Sequence, residues 1–468
     1  MGTSTVKAGY AGEDTPKAVF PSAVGWINKD QLSADTNDGD VEMKEVKGGR
    51  KGSRAGHSKG SKAQKNDDAT GEEDDLRVKK PSGLKINADP SKTKHYYVDD
   101  LSYRRDGVDV TSPFDADGNI QDWDVVEAIW EHTLKKRLVV QPDEHPILLG
   151  EPVNSSREQR EKMVELLFEK HAPPAVFLAN NAVLTSFASG RATSLIVDCG
   201  AGATTVTAVH DGYTLRKAVT RSPLGGDALT DCVLSYLEKT KKQPVKPRYE
   251  FTRKKNGDKF DVTAVKGLGQ TTNAYRLYKQ REIASDLKET VCRMSDKAFA
   301  PGDYENVPSV AYELPDGNVV EIGAERFKIP EILFNPNLVD ELGLPNDALK
   351  SLKNDSNGAP LKGLPQIILD TINKCDVDAR KDLFGGVVVA GGGSLFASLR
   401  ERLELELHDS APTNVRVKVT ASVNTIERKF TTWIGGSILA SLGSFQQMWL
   451  SKQEYEEHGA GLIHKRCP

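Results

Sequence analysis

From Ser194 to Asp211 the sequence SLIVDCGAGATTVTAVHD leaves a chain little choice but two strands joined by a tight turn. Leu195, Ile196 and Val197 form a short apolar run, and Thr204 to Val209 alternates small polar with apolar residues. Between them lies Asp198-Cys199-Gly200-Ala201-Gly202. Glycines without a Cβ let a partner approach the backbone, so the N–H groups of such a turn can face phosphate. Asp198, at the strand end, stands where a hydrated divalent cation would bridge those phosphates. An ordinary hairpin whose glycines serve only the turn would leave the same pattern. The rest of the chain has to decide.

Phe384 to Phe396 (FGGVVVAGGGSLF) repeats the logic. A buried strand, Val387-Val388-Val389, runs into Gly391-Gly392-Gly393-Ser394, which is expected to open a helix. Free N–H groups of a first helical turn, beside glycine, suit a phosphate or a flat purine. A helix entry that only needs close packing is the competing explanation.

At 468 residues the chain is too long for one simple core, so two or more lobes are expected. A net charge of -4 exerts no global pull on nucleic acid, and any such contact must be local. The cysteines (Cys199, Cys232, Cys292, Cys375, Cys467) include no CxxC pair. That argues for reduced thiols in an intracellular compartment and against a zinc site. No apolar run approaches the roughly 18 residues of a membrane helix, and no signal peptide is present.

Val6 to Asp14 reads as the second half of a hairpin, followed by a short strand over Ala18–Phe20. From about Lys29 to Lys94, Gly, Ser, Lys and Asp take over, with a basic half (Lys47 to Lys65) before an acidic one (Asp67 to Asp75). Such a segment cannot bury enough apolar surface to offset its ordering entropy and is expected to be a disordered insertion. Its basic half is either a nuclear-import or nucleic-acid contact or a solvated loop whose halves attract each other. Amphipathic helices are expected over Trp123–Leu134, Ser156–Glu169 and Tyr275–Met294, and a further helix over Asn180–Ser189. Buried strands are expected at Ile147–Leu149 and Ala175–Leu178, a helix from Pro223 through Leu237, and a second, basic insertion over Lys239–Asp261. A hairpin with an Asp316-Gly317 turn, a polar insertion within 336–365, and helices over Leu364–Asn373, Trp433–Leu442 and Ser444–Leu450 complete the reading. Alternating strands and helices make the fold class α/β.

The stretches KAGYAGEDTPKAVFPS (7–22), EHPILLGEP (144–152), NAVLTSFASGR (181–191), YELPDGNVVEIGAERF (312–327), KCDVDARKDLF (374–384) and WIGGSILASLGSFQQMWLSKQEYEEHG (433–459) are specific and span most of the chain. Through them the chain resembles actin. VHDGYTL and RSPLGGD (209–227), with the long insertion, bring it closer to the actin-related protein 4 class of nuclear actin-related proteins. The resemblance implies an actin-like fold, shared with hexokinase and the heat-shock chaperone ATPase: two lobes of two subdomains around a nucleotide cleft. The expected division is 1–28, 95–188 and 431–468 for the small-lobe base, with 29–94 replacing the filament-contact loop. The large-lobe base would take 189–224 and 341–430, and its upper part 225–340.

The resemblance also implies ATP and Mg2+ as cofactors and assigns residues to them. Lys7 would touch the β- and γ-phosphates, with Thr3 and Ser4 in the first phosphate loop. Gly200 and Gly202 would form the second loop, and Asp198 would hold the metal through water. Gly226 would lie near the ribose, Lys288 and Glu289 near ribose and adenine, and Gly391, Gly392, Phe396 and Lys429 around adenine.

Three departures bear on chemistry. Ala201 stands where actin has the loop's second carboxylate, and Asn181 where actin has a glutamine that helps position the attacking water. The first strand and the first-loop aspartate would precede Met1, which implies a truncated product or a misassigned start codon. The second is favoured, because a sheet lacking an inner strand exposes unpaired backbone. Phosphoryl transfer depends on positioning and metal-borne charge stabilisation, so binding without efficient turnover is expected.

The implied function is that of a nuclear, non-polymerising structural subunit of chromatin-remodelling and histone acetyltransferase complexes. It would dock beside nuclear actin on a helical segment of a remodeller ATPase or acetyltransferase scaffold. Histones and nucleosomal DNA are further implied contacts, through Lys47–Lys65 or Lys239–Lys259, and no membrane partner is implied. A filament-forming, ATP-hydrolysing actin is the alternative. A small-molecule kinase is weaker, since no catalytic base stands out beside the phosphate loops.

Overall fold

The computed structural model describes residues 1–30, 93–256, 259–304, 306–341 and 358–468. The insertion expected over 29–94 falls, for residues 31–92, outside the described residues, as do 342–357 of the insertion expected within 336–365. The chain divides into two compact units, residues 1–27 with 96–468, and residues 28–95. Everything below concerns the first.

Its centre is a five-stranded sheet in the order Tyr213–Ser222, Thr204–His210, Ser194–Cys199, Val387–Ala390, Val419–Thr420. The Leu195-Ile196-Val197 run and the Val387-Val388-Val389 run pair in parallel at its middle. Both are buried on both faces, as continuous β-branched strands of a parallel pair are expected to be. Ser194–Cys199 turns back antiparallel into Thr204–His210, with Cys199 opposite Thr204. Helices Gly226–Ser235, Leu364–Asn373, Val377–Gly385 and Leu399–Ser410 join this sheet in one core drawn from residues between Leu195 and Val419.

A second core comes from both ends of the chain. It combines Val6, Phe20 and Val24 with residues of helices Trp123–His132 and Arg157–His171, strand Ala175–Asn180 and the C-terminal segment. Asp122 caps the first helix by accepting from Val125 N, and Ser156 caps the second through Gln159 N. Helix Asn181–Ala188 joins the second core to the central sheet. Leu184 packs in the second, whereas Ala182 packs against Ile196, Val209 and Val388 of the sheet.

Several segments depart from the sequence reading. Thr5–Ala8, expected within the second half of a hairpin, pairs antiparallel with the strand that follows it, Ala18–Pro21, with Lys7 opposite Val19. Strand Ile147–Glu151 forms, but Ile147, Leu148 and Leu149 are half-buried because they also line a large cavity. Gly392–Ser394 is a single 3-10 turn, and the α-helix waits until Leu399, after Ser398 in the left-handed region. Helix Thr425–Ser441 starts well before Trp433, since Asn424 caps it through Ile426 N. Residues 444–450 form a 3-10 turn running into strand Leu450–Ser451 instead of a helix. Within the second expected insertion, Phe251–Asn256 and Lys259–Ala264 pair as a hairpin.

Candidate functional site

The two glycine turns leave the sheet side by side. Ala390 lies opposite Asp198, so both turns start at the carboxyl ends of adjacent parallel strands, where α/β sheets place ligands. Gly391 has φ +89°, and a Cβ on it would sit 2.4 Å from Cys199 O and 2.5 Å from Asp198 Oδ1. Only glycine permits that overlap. The helix Gly226–Ser235 is locked to the first turn by Gly226 N donating to Gly200 O (3.0 Å) and Asp227 N to Ala201 O (2.8 Å).

The first-loop residues come in from the other core. Gly2 N donates to Thr5 O (3.0 Å), Ser22 N to Ser4 O (2.9 Å), and Ser22 Oγ to Gly2 O (2.6 Å). From this small loop Thr3 Oγ1 accepts from Gly202 N at 3.0 Å, a direct bond between the two turns.

Lys7, the third residue of strand Thr5–Ala8, interacts electrostatically with Asp198. Burial pulls the Lys7 ammonium below its usual range, with Asp198 opposing and Lys429 adding to the depression. Burial pushes the Asp198 carboxyl up, against the pull of Lys7. Desolvation thus outweighs mutual attraction for both. Neither side chain makes a direct hydrogen bond or ion pair among the described residues; Lys7 Nζ has only the Phe430 ring, 5.9 Å away. A desolvated cation and a desolvated anion, each without a contact partner, suit a ligand that supplies anionic oxygens to one and a hydrated cation to the other.

All the residues assigned to the cofactor meet. Thr3, Ser4, Lys7, Asp198, Gly200, Gly202, Gly226, Lys288, Glu289, Gly391, Gly392, Phe396 and Lys429 line one cavity of about 1580 Å³. Lys288 plays a more internal part than its assignment suggests. Its ammonium is buried and donates to Gly226 O and Thr230 Oγ1, both at 2.8 Å, pinning the start of helix 226–235. Glu289 Oε1 accepts from Ser285 Oγ at 3.1 Å.

Asp227 and Arg428 are among the lining residues that escaped the sequence reading. Asp227, its carboxyl pushed up by burial with Lys288 opposing, follows the Gly225-Gly226 pair that could have marked it. Arg428 bonds Ser422 O through Nε (2.8 Å) and Ser394 O through Nη1 (3.2 Å). Its only signal was adjacency to Lys429.

These residues fit a magnesium nucleotide: glycine-bare turns, an unpaired ammonium and an unpaired carboxylate on a cavity large enough for it. A metal ion there would neutralise phosphate charge and Asp198 would orient its water shell. Ala201 offers no second carboxylate, and Asn181 lines the same cavity with a shorter amide than glutamine.

A family model described as Actin matches residues 1–468. The chain belongs to the actin family. It therefore has the α/β actin-like fold expected above. Curated relatives called actin-related protein 4 cover 100% of the chain. That of Oryza sativa subsp. indica is 47% identical over 470 aligned positions and that of Arabidopsis thaliana 46% over 472, each covered over 97% of its own length. The Mycosarcoma maydis protein of the same name is 32% identical over 527 positions, again with 97% of its length covered. The resemblance to the actin-related protein 4 class thus extends from plants to a fungus.

Proposed function

We propose that this chain is a non-polymerising nuclear subunit that binds Mg-ATP as a structural ligand, within chromatin-remodelling and histone acetyltransferase complexes. Nuclear actin and a helical segment of a remodeller ATPase or acetyltransferase scaffold are its partners, with histones or nucleosomal DNA as further contacts. The observation that carries the reading is the second phosphate turn. Asp198 faces the cavity with Ala201, not a carboxylate, beside it, and the Gly202 amide is already engaged by Thr3. Such a site supports tight retention more readily than the water positioning that hydrolysis needs. Likeness to relatives named actin-related protein 4 supports the nuclear class.

The experiment is direct. Nucleotide extracted from the purified chain should be near-stoichiometric and include ATP, light scattering with magnesium and ATP should stay flat at micromolar protein, and phosphate release should be negligible. Purification from nuclei should return actin and a large helical scaffold chain. Robust polymer with brisk phosphate release would instead identify a filament-forming ATPase.

A further inference from the structure

The purine wall expected from Gly391 to Phe396 is not held by its own strand alone. Its first residue is fixed from helix Thr425–Ser441, where Gly391 N donates to Arg428 O at 3.1 Å. Its middle is fixed from the same residue, since the Arg428 guanidinium donates to Ser394 O. A third bond, from Nε to Ser422 O, ties the guanidinium to the segment entering the helix. Within the turn, Ser394 N and Ser394 Oγ both bond Gly391 O, at 3.2 and 2.7 Å, so the wall moves as one piece. Among the described residues no carboxylate touches Arg428, and its direct side-chain bonds go to backbone carbonyls. A planar fork holds its donors on separate nitrogens in a fixed geometry, which a lysine's single rotating ammonium does not reproduce.

The same helix reaches the opposite core. Ser437 accepts from Gly12 N (2.9 Å) and donates to Glu13 O (2.8 Å), beside the strand that carries Lys7. Helix 425–441 is therefore a beam with the purine wall clamped near one end and the Lys7 hairpin near the other.

We propose that Arg428 is a positioning residue for the nucleoside half of the ligand, setting the purine wall at the height fixed by helix 425–441. This rests on the nucleotide reading above. The phosphate half, held by Lys7 and the Gly200–Gly202 turn, has no bond to Arg428.

The test compares ligands that carry only one half. Affinities for adenosine, tripolyphosphate and ATP are measured by calorimetry on nucleotide-stripped full-length wild type, Arg428→Met and Arg428→Lys. The expected result is about a tenfold or greater loss for adenosine in both variants, about one bond's worth, with tripolyphosphate within twofold of wild type. Amide hydrogen exchange over 391–396 should quicken in the unliganded variants while exchange over 194–210 holds. Equal losses for adenosine and tripolyphosphate, no loss for adenosine, or full rescue by lysine would each overturn the proposal. Failure of the wild type to bind any of the three ligands would sink the nucleotide reading instead.

Discussion

Lys7 and Asp198 show how much of a binding site can be built from charges left without contacts. Because burial depresses the Lys7 pKa, its protonated form is disfavoured in the empty protein. The sign follows: stability associated with Lys7 is full above the unfolded lysine pKa and declines as pH falls through the lowered folded value. Bound phosphate reverses that preference, so ATP affinity should fall as pH rises through the lowered Lys7 value, earlier than an exposed lysine would dictate. Lys7→Met should weaken ATP by about 10-fold to 100-fold, the worth of a charge-assisted bond, and flatten this alkaline limb. Calorimetric titrations between neutral and alkaline pH check both. Asp198 was legible in the strand and turn pattern that carries it, and Lys7 only through the resemblance to actin. Arg428 was not, because its partners are backbone carbonyls, one six and one 34 residues away, and a carbonyl has no sequence signature.

Elements explain the rest of what was missed. A strand was expected to be buried wherever it was apolar, yet Ile147–Leu149 borders the cavity; periodicity reports apolar faces without saying whether protein or ligand covers them. The hairpin Phe251–Ala264 hid behind its charges because its apolar anchors, Phe251 and Phe260, are few, Arg253 stacking on the latter at 4.3 Å. No pattern announced the brace between segments 101–108 and 270–275. There Gly107 N donates to Gln270 O (2.9 Å), Thr272 Oγ1 to Val108 O (2.8 Å), and the buried Tyr275 hydroxyl to Leu101 O (3.2 Å). Burial pushes that phenol up to about 12, so it remains a donor at neutral pH. Tyr275 heads the helix whose later turns carry Lys288 and Glu289 to the cavity. Opening this contact should limit nucleotide escape. Tyr275→Phe with Thr272→Val removes two bonds of about 1 kcal/mol each, so release of a fluorescent ATP analogue should quicken by about 10-fold or more. An unchanged rate would show that escape runs elsewhere.

A separate element junction, Arg402 with Glu331, holds the helix Leu399–Ser410 against the helix Glu325–Glu331. The guanidinium bonds both Glu331 oxygens at 3.0 and 3.1 Å, Glu406, and the carbonyls of Ser295 and Lys297. Both Arg402 and Glu331 are almost wholly buried. Arg402→Met leaves a buried carboxylate unpaired and should cost about 3–5 kcal/mol. Burial already pushes the Glu331 pKa up, with Arg402 opposing. Losing the arginine raises it further, and a raised carboxyl loses stability as pH climbs past its unfolded value. The variant's deficit in denaturant titrations should therefore be smaller at mildly acidic pH than at neutral pH.

At the scale of the whole molecule, more than one core was foreseeable from length and two lobes were implied by the resemblance to actin, but the joint between the cores was not foreseen. It lies where helix Thr425–Ser441 crosses helix Asn181–Ala188. A Cβ on Gly435 would fall 1.8 Å from Leu184 O, closer than any atom pair tolerates, so the helices touch backbone to backbone. Leu184 belongs to one core and Ala182, two residues earlier, packs on the sheet of the other. Separating the helices must therefore disturb one core, the sheet at the centre of the other and, through Arg428, the turn from Gly391 to Ser394. Gly435→Ala should destabilise by about 3 kcal/mol, the upper part of the overpacking range, despite alanine's better helix propensity. Gly443→Ala, a glycine with open space around its Cβ position, is the matched control and should be near neutral. The decisive measurement is thermal unfolding with and without ATP. If the crossing couples the cores, wild type and Gly443→Ala melt in one ATP-stabilised transition. Gly435→Ala then splits into two transitions, with the ATP-dependent shift reduced in both. A single transition in Gly435→Ala with the full ATP shift would mean that the cores are coupled by some other contact.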